Sequence, residues 1–493
     1  MQLFIKKYRT YVFGDMLAKY ISPYRIEIGI FLLAVFVRLV FFLVCLSSNG
    51  GDVVTTVRGQ DWYFELSKNL LLGNGFSVYS VPPFIPYSYG VPFYPYFLFF
   101  LLWLTGSYLA VAMIQLLLGS IIPLLGIQLS RIIITSLRHS ELGSESTYAS
   151  NNVDSGSLPG MTTIPVAVGF MLALAPGQIL HSSIFFTETV FIALFVPFLI
   201  FFLNFLKNPS FKFAILSGVF LGLSTLTKQT VQYLPILVIL FALWQFRKER
   251  RKEVFMKLGC FLLVFFITIS PWIYRNYKTF HMMSLGSGAS FNVFYTLLPS
   301  VRAMENHTSF QEEQRKLIVV PNDPMHIASA KLATKEILHH PISLFKLCSV
   351  SAFTFFTHDG IVTFMQSAGI TVNIPPGKPA IVMLAGDPIL FAKTAWGYAH
   401  SNIIFALFAR LFWIALTLFF FFGIYILFRR RLFTVPIAFV IILVFYFMTT
   451  TMINGLAVNA RFRMPVEPII FTVACIGFVS FYAWIKNLFS HYA

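Results

Sequence analysis

A chain of 493 residues that is 57% hydrophobic and 17% aromatic, with only 11% charged residues, has too little polar surface to cover a soluble globule. That composition excludes the ordinary soluble classes and describes a protein that crosses a membrane many times. The formal net charge of +17 does not point to nucleic acid, because Lys and Arg fall in short runs between apolar spans, where they fix orientation and meet anionic headgroups.

The first 26 residues carry Lys6, Lys7 and Arg9 among aromatics, with no small-residue cleavage site behind an apolar core. This is the pattern of a retained helix lying on the cytoplasmic face. A bilayer core takes about 20 apolar residues per helical crossing. Spans are therefore expected near 27–47, 109–135, 163–184, 188–206, 211–227, 231–246, 256–273, 403–428, 432–452 and 466–486. The run VPFYPYFLFFLLWLTG, 91–106, is short, opens on Pro92 and Pro95 and abuts Gly106. A full crossing there would send RKERRKE (247–253) and RRR (429–431) outward. As a re-entrant or interfacial segment it leaves both cytoplasmic, and the positive-inside rule selects that reading. The Ser-, Gly- and Asn-rich insert 138–163 then reads as a flexible cytoplasmic loop.

The expected fold is an all-α polytopic membrane bundle of about 10–12 transmembrane helices. Its parts are a cytoplasmic interfacial segment 1–26, a transmembrane module 27–273 with a large first outer loop 48–108, an outer loop region 274–402, and C-terminal transmembrane helices 403–493. Within the second outer region, 340–357 is apolar but contains Lys346, and is expected to be a packed helix on the outer face. No repeat of fixed period is evident, against transporters built from inverted halves. Cys45, Cys260, Cys348 and Cys475 are far apart in or beside apolar segments and read as core residues.

By the same parity Asp61, Glu188, Lys228, Arg275, Arg461 and Arg463 all fall at the outer face. A lipid-linked sugar phosphate needs cations for its phosphate, a greasy groove for its tail and a carboxylate, and this inventory fits it. In GQDWYFELSKNLLLGNGFS (59–77), Trp62, Tyr63, Leu66 and Leu70 recur at helical spacing up to a Gly73-Asn74-Gly75 stop, expected to be a left-handed cap. Asp61 sits at the first turn of that helix, either as an N-cap or as a reactive carboxylate. Glu188 opens a span, where it either favours the helix dipole or acts as a site acid that orients an acceptor or pairs with Lys228. Lys228 itself is either a snorkelling lysine or a phosphate contact. Arg275 follows Pro271-Trp272, read as the break that ends its span, and anchors on lipid or binds a phosphate. Arg461 and Arg463, two residues apart in an extended linker, are expected to point the same way and grip one phosphate. Arg38 lies too deep in the first span for an anchor and is expected to pair with a carbonyl or acid in the bundle. His358-Asp359 reads as a turn rather than a base pair, and Asn306-His-Thr308 matches a glycosylation sequon.

Taken in order, Asp61-Trp-Tyr with Asn69-Leu-Leu-Leu-Gly-Asn-Gly-Phe76, Val91-Pro-Phe-Tyr-Pro95, Phe186-Thr-Glu188, Leu226-Thr-Lys-Gln-Thr230, Pro271-Trp-Ile-Tyr-Arg-Asn276 and Ala460-Arg-Phe-Arg-Met-Pro465 cover most of the chain. Together they resemble the bacterial branch of the GT-C glycosyltransferases, relatives of dolichyl-phosphate-mannose-protein mannosyltransferases and of the aminoarabinose transferase of lipid A. The resemblance implies that the acidic residue of the first outer loop, here Asp61, is the catalytic carboxylate. Eukaryotic members carry an Asp-Glu pair there; in this chain Trp62 follows, and Asp52 in a Gly-Gly-Asp turn is the other candidate. It further implies an inverting transfer from a polyprenyl-phosphate-linked sugar to an acceptor hydroxyl at the outer face, with Asp61 as base and Glu188 as a second catalytic acid. Lys228, Arg275, Arg461, Arg463 and Tyr94 are then the substrate-binding residues. No metal or cofactor is implied. Partners are the lipid-linked donor, a glycan, lipid or protein acceptor and membrane lipids, with no nucleic acid, in a bacterial inner membrane. The rival from another class is a transporter or flippase for a lipid-linked or anionic solute, whose ionisable groups belong near the midplane. An oligosaccharide ligase with a lipid diphosphate donor is a second enzyme alternative.

Overall fold

The computed structural model describes residues 24–59, 61–145, 161–247, 251–321, 323–372, 389, 392–393, 396–397 and 404–490. The expected N-terminal interfacial segment up to residue 23, most of the insert 138–163 and the end of the second outer region lie outside the described residues. Among the described residues there is helix and no strand, and seven helices are long and apolar enough to cross a membrane. An eighth span forms if Ile164–Leu174 and Pro176–Ser183, bent by 50° at Ala175, are counted together. The expected spans 211–227 and 231–246 are shorter helices, Phe211–Thr227 and Leu234–Gln245.

The centre of the bundle is Thr187–Lys207. Its phenylalanines 191, 195, 198, 202 and 205 recur at alternating spacings of four and three, so they share one face, and all are buried. Phe191 stacks on Phe195 at 5.3 Å and Phe198 on Phe202 at 6.2 Å. A helix held this tightly gives a rigid support for whatever side chain its first turn presents. The short helix Phe211–Thr227 is drawn into the bundle by Gly218 and Gly222, four residues apart. A Cβ at Gly218 would lie 2.7 Å from the Phe261 carbonyl oxygen, and one at Gly222 2.7 Å from Thr268 Cβ. Only glycine permits that approach to the long helix Arg251–Phe280. The long helix runs on through Pro271, so the break expected at Pro271-Trp272 does not occur.

Arg38 is wholly buried in the first span, Arg25–Ser48. Its guanidinium donates to the carbonyl oxygens of Ala34 at 3.2 Å, Ala173 at 3.1 Å and Leu172 at 3.4 Å. Two of these carbonyls end the helix Ile164–Leu174, where the bend leaves them without intrahelical partners. The expected carbonyl pairing is therefore made, at a helix C-terminus.

The loop after the first span is largely helical, with Val53–Val57 and Tyr63–Leu71 followed by Phe93–Thr105. Gly73 and Gly75 have φ of 77° and 80°, giving the left-handed stop anticipated from the sequence. Phe93–Thr105 has 13 residues, about 20 Å of helix against the roughly 30 Å of a bilayer core. It turns back at Gly106, φ 62°, into the span beginning at Tyr108. The described part of the region 274–402 holds a folded helical cap. Its helices from Gly288 to Thr357 gather around Phe294, Leu298, Val301, Ala333, Ile337 and Leu347; Pro341–Thr357 is the packed helix expected at 340–357, and Ile361–Ser367 packs instead on the first span through Phe364 against Phe41.

Candidate active site

Asp61 follows Gln60 and stands just before the helix Tyr63–Leu71. That helix is capped at Trp62 with no side-chain cap, so the Asp61 carboxylate is not consumed by local backbone. Instead its Oδ2 accepts from Nη1 of Arg461 at 3.2 Å, a partner 400 positions away in sequence. Asp52 has the opposite fate. Its carboxylate accepts the amides of Val54 and Thr55 at 3.0 and 3.2 Å as an exposed N-cap of Val53–Val57.

Glu188 occupies the first turn of the rigid helix Thr187–Lys207, with its side chain 1% exposed. Its Oε1 accepts from Lys228 Nζ at 2.8 Å and lies 3.7 Å from Arg461 Nε. Lys228 comes from the turn between Phe211–Thr227 and the 3-10 segment Gln229–Val231, and Arg461 from the 3-10 turn Ala460–Phe462. Four residues from four distant stretches thus form one chain of charges: Asp61, Arg461, Glu188, Lys228. The two cations also lie against aromatic faces, Lys228 at 5.8 Å from the Phe191 and Phe462 centroids and Arg461 at 5.4 Å from Phe186 and 5.2 Å from Phe462.

All four line a cavity of about 400 Å³ whose other walls are neutral, including Tyr63, Tyr89, Gln229, Asn292, Thr450 and Asn454. Burial raises the Asp61 carboxyl above the ordinary aspartate value; the Arg461 guanidinium opposes that rise and the Glu188 carboxylate adds to it. A raised carboxyl pKa suits a group that must take up a proton, while the adjacent guanidinium keeps the carboxylate available. Among the described residues no group of three or more His, Cys, Asp or Glu side chains is placed to hold a metal ion.

The remaining expected site residues stand elsewhere. Arg463 is fully buried, with its guanidinium 3.4 Å over the Trp413 ring. It donates to the carbonyls of Phe355 and His358 at 2.6 and 2.7 Å, and its Nε lies 3.6 Å from Glu467. Arg275 lies outside the cavity, between Trp272 at 4.6 Å, Phe280 at 5.2 Å and Phe76 at 5.4 Å, and donates to the Tyr87 carbonyl at 3.3 Å. It clamps the first outer loop to the long helix. Tyr94 is buried, its hydroxyl donating to Gln115 at 2.7 Å and its ring meeting Tyr63 edge-on at 5.1 Å. It supports a cavity residue without lining the cavity itself. His358-Asp359 is the turn that was expected, with Asp359 paired to Arg410 at 2.7 Å. Of the cavity residues passed over in the sequence, Gln229 lay inside the quoted Leu226–Thr230 motif, and Thr449–Thr451 is a polar run closing a span, the signal that marks the outer end of a functional helix.

Residues 161–274 match the model of the dolichyl-phosphate-mannose-protein mannosyltransferase family, a stretch that contains Glu188 and Lys228. That match makes this stretch similar to a family of membrane mannosyltransferases. The crystal structure of ArnT from Cupriavidus metallidurans in the apo state is 15% identical to this chain, covering 92% of it and 77% of ArnT. The TM-score is 0.33, a likeness too slight to place any residue. No curated protein matches. The family segment ends at residue 274, so Asp61 and Arg461 join the candidate site by geometry and not by that match.

Proposed function

We propose that the protein transfers a sugar from a polyprenyl-phosphate-linked donor to an acceptor hydroxyl at the outer face of a bacterial inner membrane, with inversion. The single observation that supports this reading is the convergence of Asp61, Glu188, Lys228 and Arg461 on one cavity at one end of the spans.

In the proposed step the Asp61 carboxylate accepts the proton of the acceptor hydroxyl as its oxygen attacks the anomeric carbon. The bond from that carbon to the phosphate oxygen breaks, and the phosphate departs with the electron pair. Lys228 and Arg461 hold the phosphate and stabilise the charge that grows on it. Glu188, buried between them, keeps both cations aimed. The cations and carboxylates that line the cavity balance one another, which matches the single charge of a phosphodiester better than the higher charge of a diphosphate. Neutral Tyr89, Gln229 and Asn292 supply hydrogen-bonding surface for a sugar. Arg275, Arg463 and Tyr94 act in this reading by holding the walls.

The test uses the purified protein in lipid with a panel of polyprenyl-phosphate hexoses and pentoses, reading release of polyprenyl phosphate in the presence of cell-envelope acceptors. Turnover with one monophosphate donor, abolished in Lys228→Ala, is the expected result. Turnover with lipid diphosphate sugars alone would overturn the donor assignment.

A further inference from the structure

The linker that delivers Arg461 is held from the outer cap at several points. Ser351 donates to the Gly455 carbonyl at 3.0 Å, and Ser300 Oγ accepts the Leu456 amide at 3.0 Å. Nearer the site, Asn459 Oδ1 accepts the Arg461 amide at 3.1 Å. The remaining hold is His358, at the C-terminal end of Pro341–Thr357. Its Nδ1 accepts the Ala460 amide at 3.3 Å, and its carbonyl accepts Arg463 Nη2 at 2.7 Å. Ala460 and Arg463, which bracket Arg461 and Phe462, are thus fixed from outside the linker, while Asn459 braces the Arg461 amide from within it.

The imidazole Nδ1 also accepts the Gly360 amide at 3.2 Å. Two amide donors on one nitrogen require a lone pair there, which places the ring proton on Nε2. Gly360 suits this corner: its φ of +72° is one that residues with a Cβ rarely adopt, and a Cβ in its place would lie 3.2 Å from Ala460 Cβ. The charged groups facing the ring are Asp359 from the same turn, Arg410 from the span Ile404–Arg429 and Arg463 from the linker. Burial pushes the imidazole down to about 4, with Arg410 and Arg463 acting in the same direction and Asp359 against it, so the acceptor form persists at neutral pH.

We propose that His358 is a positioning residue for Arg461, setting through its Nδ1 and its carbonyl the turn that aims the Arg461 guanidinium into the cavity. The proposal rests on the reading that Arg461 holds the donor phosphate. A histidine beside a salt-bridged aspartate invites a catalytic assignment; here it acts at a distance, on the backbone.

The test measures affinity of the full-length protein in lipid nanodiscs for a polyprenyl monophosphate, the leaving group common to all sugars of this donor class. His358→Asn sets an amide oxygen where Nδ1 stood, whereas His358→Gln moves the amide to the Nε2 end of the ring. Affinity is expected to stay within about twofold of wild type in His358→Asn and to fall about tenfold in His358→Gln, the scale of one lost hydrogen bond to a charged group's support. Added to Arg461→Ala, the Gln change should cost nothing further, because the two act on one contact. Wild-type affinity in His358→Gln, a loss in His358→Asn, or additive loss on the Arg461→Ala background would overturn the proposal. So would an equal loss in Asp359→Asn, which disturbs the same corner without touching Nδ1. If Arg461→Ala itself binds the monophosphate like wild type, the phosphate reading fails instead, and the two failures are distinct.

Discussion

Arg461 and Arg463 are the same residue type, separated only by Phe462, and the fold uses them in opposite ways. Arg461 opens onto the cavity and touches both Asp61 and Glu188. Arg463 is sealed between Trp413, Glu467 and two backbone carbonyls. The difference comes from the backbone. In an extended strand, side chains two apart share a side; the linker instead makes 3-10 turns, Ala460–Phe462 and Met464–Val466, and each residue of such a turn rotates the side chain by about 120°. One arginine is therefore free to meet a substrate and its neighbour becomes a pin that holds the turn.

The contrast breaks most visibly if Arg463 is shortened. Arg463→Ala leaves Glu467 buried without its cation, and the protein is expected to lose about 3–5 kcal/mol of stability, read as reduced yield and a lowered melting temperature in detergent. A stable Arg463→Ala protein with a selective loss of donor binding would instead return Arg463 to the site. Arg461→Ala should melt near wild type while donor use weakens by about 1–3 kcal/mol in kcat/KM, the range for one charged hydrogen bond. Equal melting losses in the two variants would erase the distinction.

A subtler effect sharpens it through pH. Asp61 must be ionised to accept a proton, and burial has raised it above the ordinary 3.8, so the rate should fall as pH drops through that raised value. The Arg461 guanidinium opposes the rise; in Arg461→Ala the Asp61 pKa climbs further, and the acid limb of kcat/KM moves to higher pH. An unmoved limb would separate Asp61 from Arg461 functionally. The smallest effect belongs to Asp52. Asp52→Asn keeps a side-chain oxygen for the Val54 and Thr55 amides, so neither activity nor melting temperature should change measurably.

Much of this was legible in the sequence because membrane topology is nearly one-dimensional information. Span lengths and basic runs order the loops along the membrane normal, and that was enough to put Asp61, Glu188, Lys228 and Arg461 at one level. The helix stop at Gly73-Asn74-Gly75 was equally readable, since glycine alone takes the required φ without cost. What was not legible was rotation about a short linker. Nothing in Ala460-Arg-Phe-Arg-Met-Pro465 distinguishes an extended segment from a 3-10 turn, and the choice decides which arginine faces inward. Pro271 misled for a related reason: a proline after a long apolar run usually ends a helix, but here packing of Arg251–Phe280 against Gly218 and Gly222 carries the helix through. Arg275 consequently stays on the helix, stacked on Trp272, and does not reach the cavity. The folded cap from Gly288 to Thr357 is not legible because its six-residue core is spread over more than fifty positions of sequence.

The central claim is that Asp61, freed from capping and held by Arg461, is the base. Sugar transfer from a polyprenyl-phosphate donor by purified Asp61→Asn, with its melting temperature measured alongside, tests this most directly. An amide keeps the shape and a hydrogen-bonding oxygen but cannot take the proton. The account predicts a folded protein with wild-type melting behaviour and turnover reduced by at least about a hundred-fold. Near-normal turnover in a stable Asp61→Asn protein would contradict it.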